Sequence, residues 1–147
     1  MELHRDDDFT LTTDPARIDI DLVYRYIAGE SYWSRGIPRD RLERAIRNSL
    51  CFGIYQGAGQ VGFARVVTDR ATFAWLGDVF ILDEFRGRGL GKWMIASIAR
   101  HPDLDGLRRW FLATRDAHGL YEQFGWRPLE DPGKFMEIFR PYVIDAG

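Results

Sequence analysis

The densest chemical signal in the chain is one seven-residue stretch, Arg86-Gly87-Arg88-Gly89-Leu90-Gly91-Lys92, in which three glycines alternate with larger residues. Glycine accepts positive φ and carries no Cβ, so backbone N–H groups around it can converge on an anion. Just downstream, Leu90, Trp93, Met94, Ser97 and Ile98 recur on one helical face. The glycines therefore sit at a helix start, whose free N–H donors and positive dipole end favour negative charge. Arg86, Arg88 and Lys92 add cations, and a phosphate or pyrophosphate is the natural guest; the competing description is a tight turn with solvated arginines. Two phosphate loops do not fit. A Walker A loop needs Gly five residues before Gly-Lys and Ser or Thr after it, where Arg86 and Trp93 stand. The dinucleotide fingerprint needs a third glycine where Lys92 stands. NTP hydrolysis and NAD binding lose support accordingly.

The spacing from Arg86 to Gly91 (Arg or Gln, two residues, Gly, one residue, Gly or Ala) resembles the coenzyme A pyrophosphate loop of the GNAT superfamily of N-acetyltransferases. A second segment, Gly119-Leu120-Tyr121-Glu122-Gln123-Phe124-Gly125-Trp126, is similar to that family's recurrent Leu-Tyr-Glu-x-x-Gly followed by an aromatic residue. The element order fits as well, so the resemblance spans essentially the whole chain. It implies acetyl-CoA as co-substrate, held by Arg86, Gly87, Arg88, Gly89, Leu90, Gly91 and Lys92. It also implies that Val79-Phe80-Ile81 is the family's splayed fourth strand, whose backbone pairs with the pantetheine arm. The implied reaction is direct acetyl transfer to a primary amine, borne by a small molecule or a peptide, in a ternary complex. One position departs from the family: seven residues before Tyr121, many members have asparagine and this chain has Thr114.

Such a transfer needs a neutral amine, a polarised carbonyl and a proton for the departing thiolate. An alkylamine resembles lysine, with a pKa of about 10.4, so a base or a water relay must take a proton before attack. Asp78 is the candidate base, as the carboxylate in an otherwise apolar strand beside Gly77. Burial strengthens a carboxylate as a proton acceptor; the alternative is an edge position or purely structural hydrogen bonds. A tyrosine such as Tyr121 stays protonated at neutral pH and can donate to a thiolate. The resemblance matches it to the family's general-acid tyrosine, whereas the residue pattern alone makes Tyr121 and Phe124 an i, i+3 core pair. His118, one turn earlier, is either a relay or structural. A backbone N–H near Phe80 would polarise the carbonyl. Glu30, Trp33 and Arg35 occupy the region that varies with acceptor in the family, and their mixed charge selects neither cation nor anion. The same residues leave open a non-catalytic acyl-CoA-binding module, or an acyltransferase with another acyl donor or a protein acceptor.

Other chemistries find little support. His4, His101 and His118 are dispersed without metal-ligand spacing, so no metal is expected, and no Gly-x-Ser-x-Gly elbow occurs. Cys51, in Leu50-Cys51-Phe52-Gly53-Ile54-Tyr55, reads as a small buried hydrophobe. Twenty basic and 22 acidic residues give a net charge of −2, without the basic excess of a nucleic-acid binder. No apolar leader follows Met1, and runs such as residues 79–82 fall far short of the ~20 residues of a membrane span. A cytoplasmic protein with no membrane partner is expected. The 147 residues, 46% apolar, suit a single domain, 1–147.

The elements that must position these residues follow from periodicity. Asp6-Asp7-Asp8 reads as a solvated tail, and residues 9–12 alternate like a short strand. Asp19 can cap a helix carrying Leu22, Val23, Tyr26 and Ile27. Residues 29–38 form an aromatic-rich loop and 39–49 a second helix. Residues 50–56 and 61–68 read as a hairpin across a four-residue turn, and 72–82 as a third strand with Gly77 marking a bulge. After the glycine-rich turn and its helix come a strand at 109–114, a short helix at 116–124 and a last strand at 135–140. A meander followed by alternating strands and helices indicates an α+β, GNAT-like fold: a mixed, mostly antiparallel sheet flanked by helices. Edge strands and aromatics such as Trp110 permit a homodimer.

Overall fold

A computed structural model describes residues 1–143. Strands β1 (Glu2–His4), β2 (Phe9–Thr12), β3 (Leu50–Gln56), β4 (Gly59–Thr68), β5 (Phe73–Ile81) and β6 (Arg109–Phe111) form one sheet in that spatial order. Neighbours run antiparallel except β5 and β6, which are parallel. Helices α1 (Ile20–Arg25) and α2 (Arg39–Arg47) precede β3, α3 (Leu90–Ala99) follows β5, and α4 (His118–Glu122) follows β6. This is the mixed, mostly antiparallel α+β arrangement that the order of patterns implies.

Successive strand residues point to opposite faces, and that alternation divides the core in two. Cys51, Phe63 and Phe80 pack with Val23, Ile27, Leu42 and Ile46 from the α1 and α2 side. Phe52, Ile54 and Ala64 pack with Leu90, Met94 and Ile98 of α3. Asp19 caps α1 as its sequence position suggests, its Oδ1 accepting the Leu22 N–H at 3.1 Å. The helix then widens into a π turn, Tyr26–Glu30, closed where the buried Ser31 hydroxyl donates to the Ile27 carbonyl at 2.5 Å. The aromatic-rich loop therefore leaves from a fixed anchor rather than from a frayed end.

Four expectations need correction. Asp6-Asp7-Asp8 is no tail: it lies in the reversal between β1, which pairs with β2, and β2 itself, with Asp8 at the left-handed φ of 69°. The β3–β4 turn is shorter than four residues, because Gln56 already pairs with Gly59. The bulge in β5 falls one residue after Gly77, at Asp78. Phe63 pairs with Phe80 and Arg65 with Gly77, so Asp78 and Val79 together oppose Ala64. Finally, residues 135–140 do not form a strand. Phe135 packs edge-on against Phe111 at 5.0 Å, but Met136, Ile138 and Phe139 are 98%, 84% and 72% exposed. An alternating pattern makes a strand only where an edge receives it, and β6 is three residues long.

Candidate active site

The glycine-rich turn connects β5 to α3. Gly87 has φ 79° and Gly89, the N-terminal cap of α3, φ 74°. These left-handed values are open to glycine and costly to other residues, which explains both positions. No side chain caps α3, and its first intrahelical bond runs from Trp93 N–H to Gly89 C=O at 3.0 Å. The N–H groups of the first turn therefore remain free for an external acceptor. A Cβ built on Gly87 would meet nothing within 4 Å, so the space on that side of the turn is open. Arg86 is fixed from below, its guanidinium donating to the Ile81 carbonyl and to the Tyr26 hydroxyl, both at 3.2 Å. Tyr26 in turn stacks on Phe80 at 4.0 Å and 14°, tying the turn to the bulged strand.

One cation beside the turn carries no sequence signal. Arg5, in the β1–β2 reversal, donates to the Arg88 carbonyl at 3.0 Å and pairs with Asp7. Its guanidinium lies 5.6 Å from the Phe9 ring centre and 5.4 Å from that of Trp93. A residue from the far end of the sheet thus braces the turn and adds positive charge there.

Beside this turn the sheet opens. β6 pairs with Phe73, Ala74 and Trp75, and beyond Trp75 the β6-facing edge of β5 has no strand partner among the described residues. Val79, Phe80 and Ile81, the stretch that the family resemblance assigns to the pantetheine arm, lie beyond that pairing. Asp78 stands at its start with φ 53°, a conformation that costs a non-glycine residue on the order of 1–2 kcal/mol, with Asp among the more tolerant types. The residue is 7% exposed and its carboxylate has two partners: Arg65 Nε donates to Oδ2 and Trp33 Nε1 to Oδ1, each at 2.8 Å. Arg65 also donates to the Ser49 hydroxyl at 3.1 Å. Asp78 is therefore buried at the bulge as anticipated, but as a hub holding two side chains, not as a carboxylate with free oxygens.

Tyr121 approaches from α4, 8% exposed, its ring 5.9 Å from that of Trp126. Burial, with a smaller contribution from Tyr32, pushes its phenol up to about 12, so the hydroxyl keeps its proton throughout the neutral range. Tyr121, His118 and Thr114 share a cavity of about 280 Å³ with Trp110 and Phe111 of β6. A larger cavity, about 860 Å³, lies between β6, the end of α3 and residues 124–135. It is lined by no residue of the glycine-rich turn, nor by Asp78 or Tyr121, and the smaller cavity, though it holds Tyr121, reaches neither the turn nor Asp78. Cys51 is buried, and loss of hydration pushes its thiol up to about 12, far from a nucleophile's range. Among the described residues no group of three or more metal-ligating side chains occurs.

Residues 47–128, which carry the bulge, the glycine-rich turn and Tyr121, match the acetyltransferase (GNAT) domain family. The chain belongs to the GNAT family. A Gibberella zeae protein provisionally named an acetyltransferase is 35% identical over 136 residues, covering 78% of this chain and 76% of that protein. A GNAT-family crystal structure from Xanthomonas campestris pv. campestris shares 47% identity and superposes with a TM-score of 0.89, over 90% of this chain and 94% of that one. A Clostridium acetobutylicum structure described as an acetyltransferase with acetyl-CoA has the same fold at a TM-score of 0.62, with 10% identity over 89% of this chain and 94% of that one.

Within this GNAT chain, the aromatic-rich loop reaches the opening through Trp33. Glu30 ends the π turn, exposed, and Arg35 folds back to donate to the Gly29 carbonyl at 3.3 Å; neither makes a polar contact with Asp78. The partner of Trp33 in this position is Tyr32. Their rings meet edge-on at 5.1 Å, and the Tyr32 hydroxyl accepts the Arg115 N–H at 2.8 Å. Thr114 has its own task, its hydroxyl accepting the Ala117 N–H at 3.1 Å at the entry to α4. Among the described residues no helix is long and apolar enough to cross a membrane.

Proposed function

We propose that this GNAT acetyltransferase moves the acetyl group of acetyl-CoA onto a primary amine by direct attack in a ternary complex. The proposal is carried by what β5 and its flanks hold: an uncapped helix start preceded by left-handed glycines just past the strand, a buried aspartate on its bulge, and a buried tyrosine that keeps its proton and is linked to that aspartate through Tyr32 and Trp33. The turn fits a pyrophosphate: its N–H donors are free, the space at Gly87 is open, and Arg88 and Lys92 supply charge together with Arg86 and Arg5, which are shared with Asp83 and Asp7. Gly87, Gly89, Leu90 and Gly91 would hold the phosphates through backbone groups, and Val79, Phe80 and Ile81 the pantetheine arm. Acetyl-CoA supplies an acetyl thioester: the amine nitrogen bonds to the acetyl carbon, the C–S bond breaks, and coenzyme A leaves as a thiol.

The chain's residues then have separable tasks. A backbone N–H at the bulge steadies the developing oxyanion, an interaction worth about 10²–10³ in rate at comparable sites; Phe80 alternates with Leu82, whose N–H donates to Val61 of β4, so the N–H beside it at Val79 is the better candidate. Tyr121 holds a proton at its hydroxyl and gives it to the departing sulfur. Asp78 fixes Trp33 and Arg65 around the incoming amine; each of its oxygens accepts one hydrogen bond from the protein and keeps a lone pair, which can hold a water that passes the amine's proton on to bulk solvent. Calorimetry with acetyl-CoA and thiol release with amines test the proposal together. Saturable binding with amine-dependent thiol is expected, and absence of binding at millimolar acetyl-CoA refutes it.

A further inference from the structure

Around Asp78 three large aromatic side chains remain partly open: Tyr32 is 45% exposed, Trp33 37% and Trp75 38%. No local pattern in the sequence indicates that Trp33 and Trp75, 42 positions apart (75 − 33), both stand beside the Asp78 bulge. Each is held by contacts within the chain. Trp33 is held by its indole bond to Asp78, and Tyr32 by its edge contact with Trp33 and the Arg115 N–H. Trp75 lies over the strand beside the bulge, its Nε1 3.1 Å from where a Cβ on Gly77 would stand, so the glycine gives the indole its resting place. Phe111 stands opposite Trp75 in the β5–β6 register and extends the apolar wall. Fixed, half-exposed rings bind flat apolar groups at little entropic cost, because they are already ordered.

The charges around this wall point the same way. The Asp78 carboxylate is matched by Arg65 at 2.8 Å, and the charge stacked on the wall itself is the Arg115 guanidinium, 3.9 Å from the Tyr32 ring centre. A polycationic acceptor would meet a guanidinium where it needs a carboxylate. Resting on the acetyl-transfer reading above, we propose that the acceptor is an amine carried on an aromatic or similarly flat apolar group with no second positive charge.

The test compares thiol release from acetyl-CoA with 2-phenylethylamine, ethylamine and spermidine as acceptors. A kcat/KM for 2-phenylethylamine at least about tenfold above either of the others is expected, the scale on which an apolar pocket discriminates. Trp75→Ala should raise KM for 2-phenylethylamine about tenfold while moving that for ethylamine less than about threefold, and Trp75→Phe should restore most of the difference. Thermal unfolding of both variants establishes that they are folded. Turnover that favours spermidine, or a Trp75→Ala loss equal for the two monoamines, overturns the acceptor class and leaves acetyl transfer standing. Bound acetyl-CoA with no thiol from any amine overturns both.

Discussion

Replacing Gly89 by alanine separates conformational from steric reasons for the glycine-rich turn. A methyl group there would meet only Arg5 Nη1, at 3.8 Å, an ordinary contact. The obstacle is φ, 74°, where an L residue with a Cβ pays about 1–2 kcal/mol. Gly89→Ala should therefore lower the unfolding free energy by that amount, or Tm by roughly 2–8 °C at about 2–4 °C per kcal/mol for a chain of this size. To escape the strain the turn must swing the first N–H groups of α3 away from their common focus. The acetyl-CoA Kd should then rise at least about tenfold, about 1.4 kcal/mol. Gly91→Ala is the control. That position lies inside α3, and its Cβ would touch only Ile81 Cγ1 at 4.0 Å. Alanine there should gain up to about 1 kcal/mol of helix stability and change Kd by less than about threefold. Urea unfolding and titration calorimetry read the two quantities separately. Gly89→Ala with unchanged stability and unchanged Kd would refute the reasoning, as would Gly91→Ala behaving like Gly89→Ala.

Tyr121→Phe keeps the ring beside Trp126 and removes the proton donor, so kcat should fall about 10²–10⁴-fold with acetyl-CoA binding intact; unchanged single-turnover chemistry would remove Tyr121 as the acid. Asp78→Asn keeps the left-handed bulge sterically feasible but leaves Arg65 without its anion. Acceptor KM should rise more than acetyl-CoA KM, and a pH–rate profile that loses its acidic limb would instead mark Asp78 as the base. Arg5→Ala should weaken acetyl-CoA binding about three- to tenfold, more at low than at high salt, and a salt-independent loss would assign Arg5 a packing role alone. Burial raises Cys51 from 9.0, and Tyr55 and Tyr121 from 10.0, each to about 12. The folded chain keeps these protons while the unfolded chain loses them, so their contribution to stability is full below about pH 9 and declines as pH rises towards 12. The urea midpoint should fall between pH 8 and pH 10.5, and a flat profile would contradict this.

What could be read from the sequence was local. The glycine-rich turn, the Asp19 cap and the bulge in β5 are each determined within a few residues, by φ requirements and by a carboxylate placed before a helix. The tyrosine segment was legible through resemblance. What escaped was contact between distant positions: Arg5 with Arg88 across 83 residues, Trp33 with Asp78 across 45, Tyr32 with Arg115 across 83. No period or spacing encodes these pairs, because the sheet order brings them together. Asp78 illustrates the boundary. Its burial followed from the apolar strand around it, whereas its occupation by Arg65 and Trp33 depends on a neighbouring strand and a loop. The alternation in residues 135–140 misled for the complementary reason, as periodicity reports a face and not a partner edge.

The proposed transfer is tested most directly by mixing protein, acetyl-CoA and 2-phenylethylamine and following free thiol together with the acylated amine by mass spectrometry. One thiol per N-acetylated amine, abolished by omitting either substrate and reduced about 10²-fold or more in Tyr121→Phe, is the predicted result. Acetyl-CoA that binds but releases no thiol with any amine offered would contradict it.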